Sequence, residues 1–502
     1  MTRVQHHTSR TYTVLLLFRP YIEIRSSNSG HVINKLFLCP LLKLNNVQLS
    51  FQFIAILFIV SSAWAEEYRI LTTWNNQTID HADRPVIIQL DRNDASSFKI
   101  SVDAPFFNDP PKPAGEVGDP FYGLWDYEVV EVFFLNDLDQ YVEIELCPWG
   151  QHIVLLLNGY RQTVRHSLFI DFQVSNRSTD NWKGVAIIPA DLLPPNVTKM
   201  NAYAIHGSDP DNRVYESLYP VAFNSTSGAN FHLLSAFKPF DRSIILTEDV
   251  NSYSQTWTDS FQGIRRLTID RTWNGQLLED KDKVDFHLET RSGTGLMVKV
   301  NVPFYGDVPP PSGPSGWPFQ SLSSTYEFAS LFLVAGNNVE ALEIQFGPWG
   351  HYDVIFWSGK SNLSQFHPEI IYRVDWQNST ESKRWIGTAM IPLSYLPPQV
   401  NKCNAHSAHG ESQSRQTNSL YRATISDGEK PNIHNQDSCK AIDMSMIYPG
   451  NENANCSDVW TGKVANCPAP VVENTSGHPP MTANHFILLI IVALISSFIV
   501  VV

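Results

Sequence analysis

Tyr141-Val142-Glu143-Ile144-Glu145-Leu146-Cys147-Pro148-Trp149-Gly150 alternates apolar and polar side chains and then turns. Val142, Ile144 and Leu146 fall on one face of an extended chain, and Tyr141, Glu143 and Glu145 on the other. A fully apolar run, Ile153 to Leu157, follows and stops at the turn pair Asn158-Gly159. Pro148-Trp149-Gly150 lies between the two runs, so they read as a hairpin. About 200 residues later the pattern returns: Leu342, Ile344 and Phe346 oppose Glu343 and Gln345, and Pro348-Trp349-Gly350 leads into Val354 to Trp357. Lys99 to Val102, Val129 to Leu135 and Gly184 to Ile188 are further strand candidates. No stretch of helical periodicity stands out. The expected fold is all-β, as two tandem antiparallel β-sandwich domains.

The rest of the chain carries the same duplication. Thr73-Trp74-Asn75 reappears as Thr272-Trp273-Asn274, and Tyr127-Glu128 as Tyr326-Glu327. Leu193-Pro194-Pro195 reappears as Leu396-Pro397-Pro398, and His206-Gly207 as His409-Gly410. The order is constant and the offset drifts only from 198 to 203. Two copies of this size make a tandem pair, not a solenoid. Residues 66–245 are read as the first copy, 246–262 as a polar link and 263–445 as a diverged second copy. Residues 446–474 read as a stalk.

Composition fits a loop-rich β-protein. Of 502 residues, 43% are hydrophobic, 17% are charged, and the 32 prolines outnumber the 26 glycines. The net charge of −14 and the lack of a basic stripe exclude a nucleic-acid partner.

The ends point to secretion. Phe51 to Val60 is apolar and leads into Ala63-Trp64-Ala65, which reads as a signal peptide cleaved after Ala65. About fifty residues ahead of that run depart from the signal pattern, and residues 1–43 read as an over-extended gene start. An uncleaved signal anchor is the alternative. Phe486 to Val502 is an apolar tail with no basic flank, preceded by a polar spacer and small residues. Residues 475–502 therefore read as a GPI-attachment signal with Asn474 as the attachment residue, or Ser476 as the alternative. A plain C-terminal transmembrane anchor is the other reading. Glycosylation sequons fall at Asn76, Asn176, Asn196, Asn224, Asn362, Asn378 and Asn455, besides Asn474. Of six cysteines, Cys39 lies in the removed segment. Proximity pairs Cys403 with Cys439 and Cys456 with Cys467, leaving Cys147 as a buried thiol.

Copy one, about Arg69 to Phe240, resembles the uncharacterised family of the human chromosome 4 open reading frame 33 protein. The resemblance rests on five segments. They are Ala104-Pro105-Phe106-Phe107-Asn108-Asp109-Pro110-Pro111, Leu124-Trp125-Asp126-Tyr127-Glu128-Val129-Val130-Glu131, Glu143-Ile144-Glu145-Leu146-Cys147-Pro148, Pro194-Pro195-Asn196-Val197-Thr198-Lys199 and Ala204-Ile205-His206-Gly207. The resemblance implies no established activity. The acidic strands are also similar to family 9 carbohydrate-binding modules, which implies a sugar-binding β-sandwich.

Trp125, Asp126, Glu128 and Glu131 are the candidate ligand site. A Trp ring can stack on the apolar face of a pyranose while carboxylates bind its hydroxyls. Copy two has Ser324-Thr325 and Ser330 where copy one has Trp125-Asp126 and Glu131. Glu143 and Glu145 stand about 6.5 to 7 Å apart along one strand face, a spacing a glycosidase can use, but the same face is expected to be solvated. Trp74, Trp149 and their copies Trp273 and Trp349 are read as packing residues. His206 and His409 have no second His at ligand spacing, so no metal and no cofactor is expected. There is no nucleophile elbow, phosphate loop or dinucleotide fingerprint. The expected function is non-catalytic extracellular binding, of a carbohydrate or glycoprotein, by a protein anchored at the outer face of the plasma membrane. A glycan hydrolase using the acids of copy one, and an adhesion or spacer protein, are the alternatives.

Overall fold

The computed structural model describes residues 65–445 and Trp460, apart from 223–227, 248–250, 292–294, 314, 317, 320–321, 364–367, 379–382, 412–413 and 423–430. The signal segment, Asn224, Asn455, Asn474, Ser476, Cys456, Cys467 and the apolar tail lie outside the described residues. Among the described residues no helix is long and apolar enough to cross a membrane.

Strands dominate, and all their pairings in the sheets are antiparallel. In the first repeat one sheet runs Glu66–Ile70, Val86–Arg92, Ser97–Pro105, Asn181–Pro189, Asp171–Arg177 in spatial order. The other runs Thr72–Thr73, Val214–Ser217, Val197–His206, Val129–Asn136, Gln140–Leu146, His152–Asn158, Thr163–Arg165, with Lys238–Pro239 beside the Val197–His206 strand. The second repeat has the same order. Ile264–Ile269, Val284–Arg291, Gly295–Pro303, Lys383–Ile391 and Ile371–Asn378 form one sheet. Gln416–Ser419, Val400–His409, Phe328–Ala335, Glu340–Phe346, Tyr352–Ser358 and Ser361–Asn362 form the other.

Within each repeat the inner faces of the two sheets make the core. Ile88, Ile100 and Ile188 meet Val132, Ile144 and Leu156 in the first, and Phe286, Val298 and Ile391 meet Leu331, Ile344 and Phe356 in the second. Removing each such side chain from water stabilises the fold by about 1.5–3 kcal/mol.

The polar link is not free chain. Gln255–Gln262 is an α-helix, N-capped by Ser254 and ended by Gly263 in the left-handed region. Its Trp257 is fully buried in the first core and donates its indole N–H to the Leu192 carbonyl at 3.0 Å. Trp460, inside the segment read as a stalk, does the same job for the second core, donating to the Leu396 carbonyl at 3.1 Å. Each sandwich is therefore closed by a tryptophan from the segment that follows it.

The repeats also bind each other. Asp443 of the second bonds Arg265 at 2.9 Å and His166 of the first at 3.1 Å, and Lys440 bonds Asp119 of the first at 2.7 Å. Burial pushes the Asp443 carboxyl up, but His166 and Arg265 outweigh it and hold the group well below the carboxylate range.

Cys403 and Cys439 are free thiols, not the pair expected from proximity. Cys403 is registered opposite Lys440, so the next residue, Cys439, points to the other face of the sheet. Cys403 lies in the inner core and Cys439 in the small cluster outside it with Phe332 and Val334. Cys147 is the buried thiol expected of it.

Candidate functional site

The larger sheet of the first repeat is buried on both faces, and this builds the site. Its outer face carries Phe133, Tyr141, Leu155 and Tyr203, and loop residues Leu124, Phe231 and Phe237 cover them. The cover is incomplete. It leaves a cavity of about 760 Å³, within the usual size of a small-molecule site.

Trp125, Asp126 and Glu131 all line this cavity. Gly123, with φ of +93°, starts the short 3-10 turn Leu124–Asp126 that holds Leu124 in the packing and leaves the Trp125 side at the surface. Trp125 is 36% exposed, its ring edge-on to that of Tyr122 with 5.0 Å between centroids. Arg213 fixes the turn from below, donating to the carbonyls of Trp125, Asp126 and Tyr127 at 2.7, 3.0 and 3.2 Å.

Glu128 does not join them. It is buried, and its Oε1 accepts the Phe107 N–H at 3.2 Å. Glu327 holds the Gly306 N–H in the same way in the second repeat, so this acid is a loop fastener common to both. Burial raises the Glu128 carboxyl to about 7, against the pull of the backbone N–H groups it accepts.

Glu143 and Glu145 overturn the expectation of a solvated face. The alternation is as read, but the face is roofed, leaving Glu143 5% and Glu145 0% exposed. Glu131 is registered opposite Glu145, and Phe133 opposite Glu143, so the three acids share one patch. Each offers a carboxylate oxygen, and these lie within 4.8 Å of one another. Glu131 Oε2, Glu143 Oε2 and both oxygens of Glu145 have no hydrogen-bond partner. Burial drives all three upward. Glu143 rises to about 8, with Glu145 and then Arg161 pulling the other way. Glu131 is raised well above its ordinary value by burial and then by Glu143, and Glu145 by burial and then by Glu131 and Glu143. The patch therefore holds protons near neutrality and can both donate and accept hydrogen bonds. His232 borders it, with Nδ1 2.8 Å from the Tyr141 hydroxyl and 3.9 Å from Glu143, and burial lowers it to about 4.

On the opposite face of the same sheet, His206 is not alone. His81 and Glu216, 135 residues apart in sequence, meet beside it. Sequence spacing could not show this, because the strand Val214–Ser217 and the loop bearing His81 meet only through the sheet. Trp149 and Trp74 pack as expected, Trp149 with Arg177 3.7 Å over its ring and Trp74 against the outer cluster. The sequon residues Asn76, Asn176, Asn196 and Asn362 are exposed.

These features define an all-β protein with a roofed, acid-floored cavity on its first sandwich. The chain belongs to the UPF0462 family of C4orf33 proteins. It is 48% identical over 187 residues to the UPF0462 protein C4orf33 homolog of Mus musculus, covering 36% of this chain and 95% of that protein. The human protein is 46% identical over 187 residues, which cover 92% of it, and the Danio rerio homolog 44% over 196 residues, which cover 97% of it. The matched length is one repeat. No protein-family model and no solved structure matches the chain.

Proposed function

We propose that the first repeat is a non-catalytic binding module for a small polyhydroxylated ligand, a carbohydrate, in the cavity beneath Trp125. The observation that carries this reading is the placement of an exposed aromatic edge, Trp125 and Tyr122, above a floor of proton-bearing carboxyl groups, Glu131 and Glu143. A sugar ring has apolar C–H faces for the first and hydroxyls that both donate and accept for the second. On the sequence signals alone, the protein is secreted, glycosylated and held at the cell surface by a GPI anchor, with Cys456 and Cys467 paired in the stalk. The three acids are buried and burial holds them protonated toward neutrality, whereas a glycosidase needs one of its two carboxyl groups ionised, so binding is favoured over hydrolysis.

A glycan array probed with the full chain tests this. Retention of particular sugars without product formation is the expected result. Hydrolysis of the retained sugars supports an enzyme instead, and silence across the array supports a spacer. Release from cells by phosphatidylinositol-specific phospholipase C tests the anchor, and retention with an intact C-terminal epitope contradicts it.

A further inference from the structure

We propose that His81, His206 and Glu216 form a binding site for a divalent first-row transition ion of the zinc class. Glu216 sits mid-strand between Ala204 and Thr73 with none of its surface exposed. His206 ends the neighbouring strand, and His81 comes from the loop before Val86–Arg92. His81 Nε2 lies 2.7 Å and His206 Nε2 3.5 Å from the same Glu216 oxygen, and all three donor atoms fall within 4.8 Å. A tetrahedral ion with bonds of about 2.0–2.2 Å sets its ligand atoms roughly 3.3 Å apart, between the 2.7 and 3.5 Å that the two imidazole nitrogens keep from the Glu216 oxygen.

The cluster is unfinished without such an ion. Glu216 Oε2 and His206 Nε2 are buried and make no hydrogen bond, and the 3.5 Å contact is too long to count as one. A buried carboxylate oxygen facing an unbonded imidazole nitrogen is costly unless something bridges them. The outer supports of a metal site are in place. His81 Nδ1 faces the Arg84 carbonyl at 3.3 Å, which turns Nε2 inward. Phe107 stacks on His206 at 3.6 Å and 8°, which fixes that ring. Two imidazoles and one carboxylate suit a borderline ion such as Zn²⁺ and leave a position open, with Asp80 Oδ1 3.9 Å from His81 Nε2 within reach of it. The second repeat keeps His409 and its stacked Tyr305, but Asn418 faces Thr272 where Glu216 faces Thr73, and His409 bonds Asp307 instead.

The test uses the full chain, stripped with a chelator and titrated with Co²⁺ alone, then with Zn²⁺ in competition. One equivalent of Co²⁺ should bind with visible d–d bands that Zn²⁺ removes, and Zn²⁺ should raise the melting temperature. His206→Gln should weaken binding at least about 10-fold. His409→Gln should leave it unchanged. Because His206 is only partly buried, its variant should fold, as a melting curve without metal will show. His81→Gln provides a second variant of the same site. No bound Co²⁺ in the parent chain, or the same affinity in His81→Gln and His206→Gln, overturns the site. So does loss in His409→Gln alone.

Discussion

The two repeats share a sheet order and differ in what they do with the same buried patch. In the first, Glu131, Glu143 and Glu145 gather together, and Glu131 Oε2, Glu143 Oε2 and both Glu145 oxygens have no hydrogen-bond partner. In the second, Ser330, Glu343 and Gln345 occupy those places. There Gln345 donates to Glu343 at 2.7 Å, Trp357 donates its indole N–H at 3.1 Å, and His434 lies at 2.7 Å. One acid with three partners is a paired structural group. Three acids with four buried, unpaired oxygens among them are a cost kept in the fold, and such costs concentrate where a ligand is handled. Trp357 also stands where the first repeat has Leu157, and its ring lies over His434 at 5.1 Å. The second repeat thus pairs the acid of its patch, with Ser330 Oγ left without a hydrogen-bond partner, while the first leaves a cavity beside carboxyl oxygens that have none.

The largest expected effect concerns what the repeats share. Trp257→Ala should cost about 3–5 kcal/mol, because a fully buried ring leaves a cavity in the first core. Trp460 is only partly buried, so Trp460→Ala should cost less. Chemical denaturation of the full chain measures both. Equal losses would break the view that the two closures differ in depth.

The next effect turns one repeat into the other. Glu145→Gln installs the second repeat's residue and removes a buried acid. The folded pKa values of the triad are raised, so the folded state holds extra protons between about 4.5 and 8 and above. That contribution is fully present below about pH 4.5 and is lost as pH rises toward and through the folded values. The triad's own contribution to stability should therefore fall from pH 5 to pH 8, against the opposite slope of the buried His232 and His152 below about pH 6.5. Glu145→Gln should flatten this slope and stabilise the protein at pH 8 by on the order of 1–3 kcal/mol. Melting curves across that range decide it, and an unchanged slope shows that the triad does not control it.

A smaller change should come from Leu157→Trp, which copies Trp357. The added volume points to the cavity side of the sheet, so the stability cost should stay below the usual 1–3 kcal/mol of overpacking. Sugar retention on the array should nevertheless disappear. A variant that binds as the parent does places the ligand elsewhere.

Much of this fold was legible in the strand periods. Val142, Ile144 and Leu146 face the core as the alternation required, and the repeat at about 200 residues reappears as two sheets of matching order. What lay beyond reach was the roof. Glu143 and Glu145 looked solvated because the residues that bury their face, Leu124, Phe231 and Phe237, come from distant loops with no period of their own. The His81–Glu216 pairing was hidden for the same reason. Trp257 was within reach: Ser254 and Gly263 bracket a helix, and Trp460 recurs at the same offset as the other shared residues. Of the four proposed site residues, the three at the surface or on the outer face converge. Glu128, on the opposite pleat from Glu131's neighbours, serves the backbone.

The central claim is that Trp125 serves a ligand and not the core. Trp125→Ala in the full chain, measured for glycan retention and for melting temperature together, tests it directly. The ring is 36% exposed, and the turn is held by Arg213 through backbone carbonyls that the substitution leaves in place. The account predicts lost retention with stability changed by less than about 1 kcal/mol. Undiminished retention, or a loss of about 3–5 kcal/mol as for a buried ring, would contradict it.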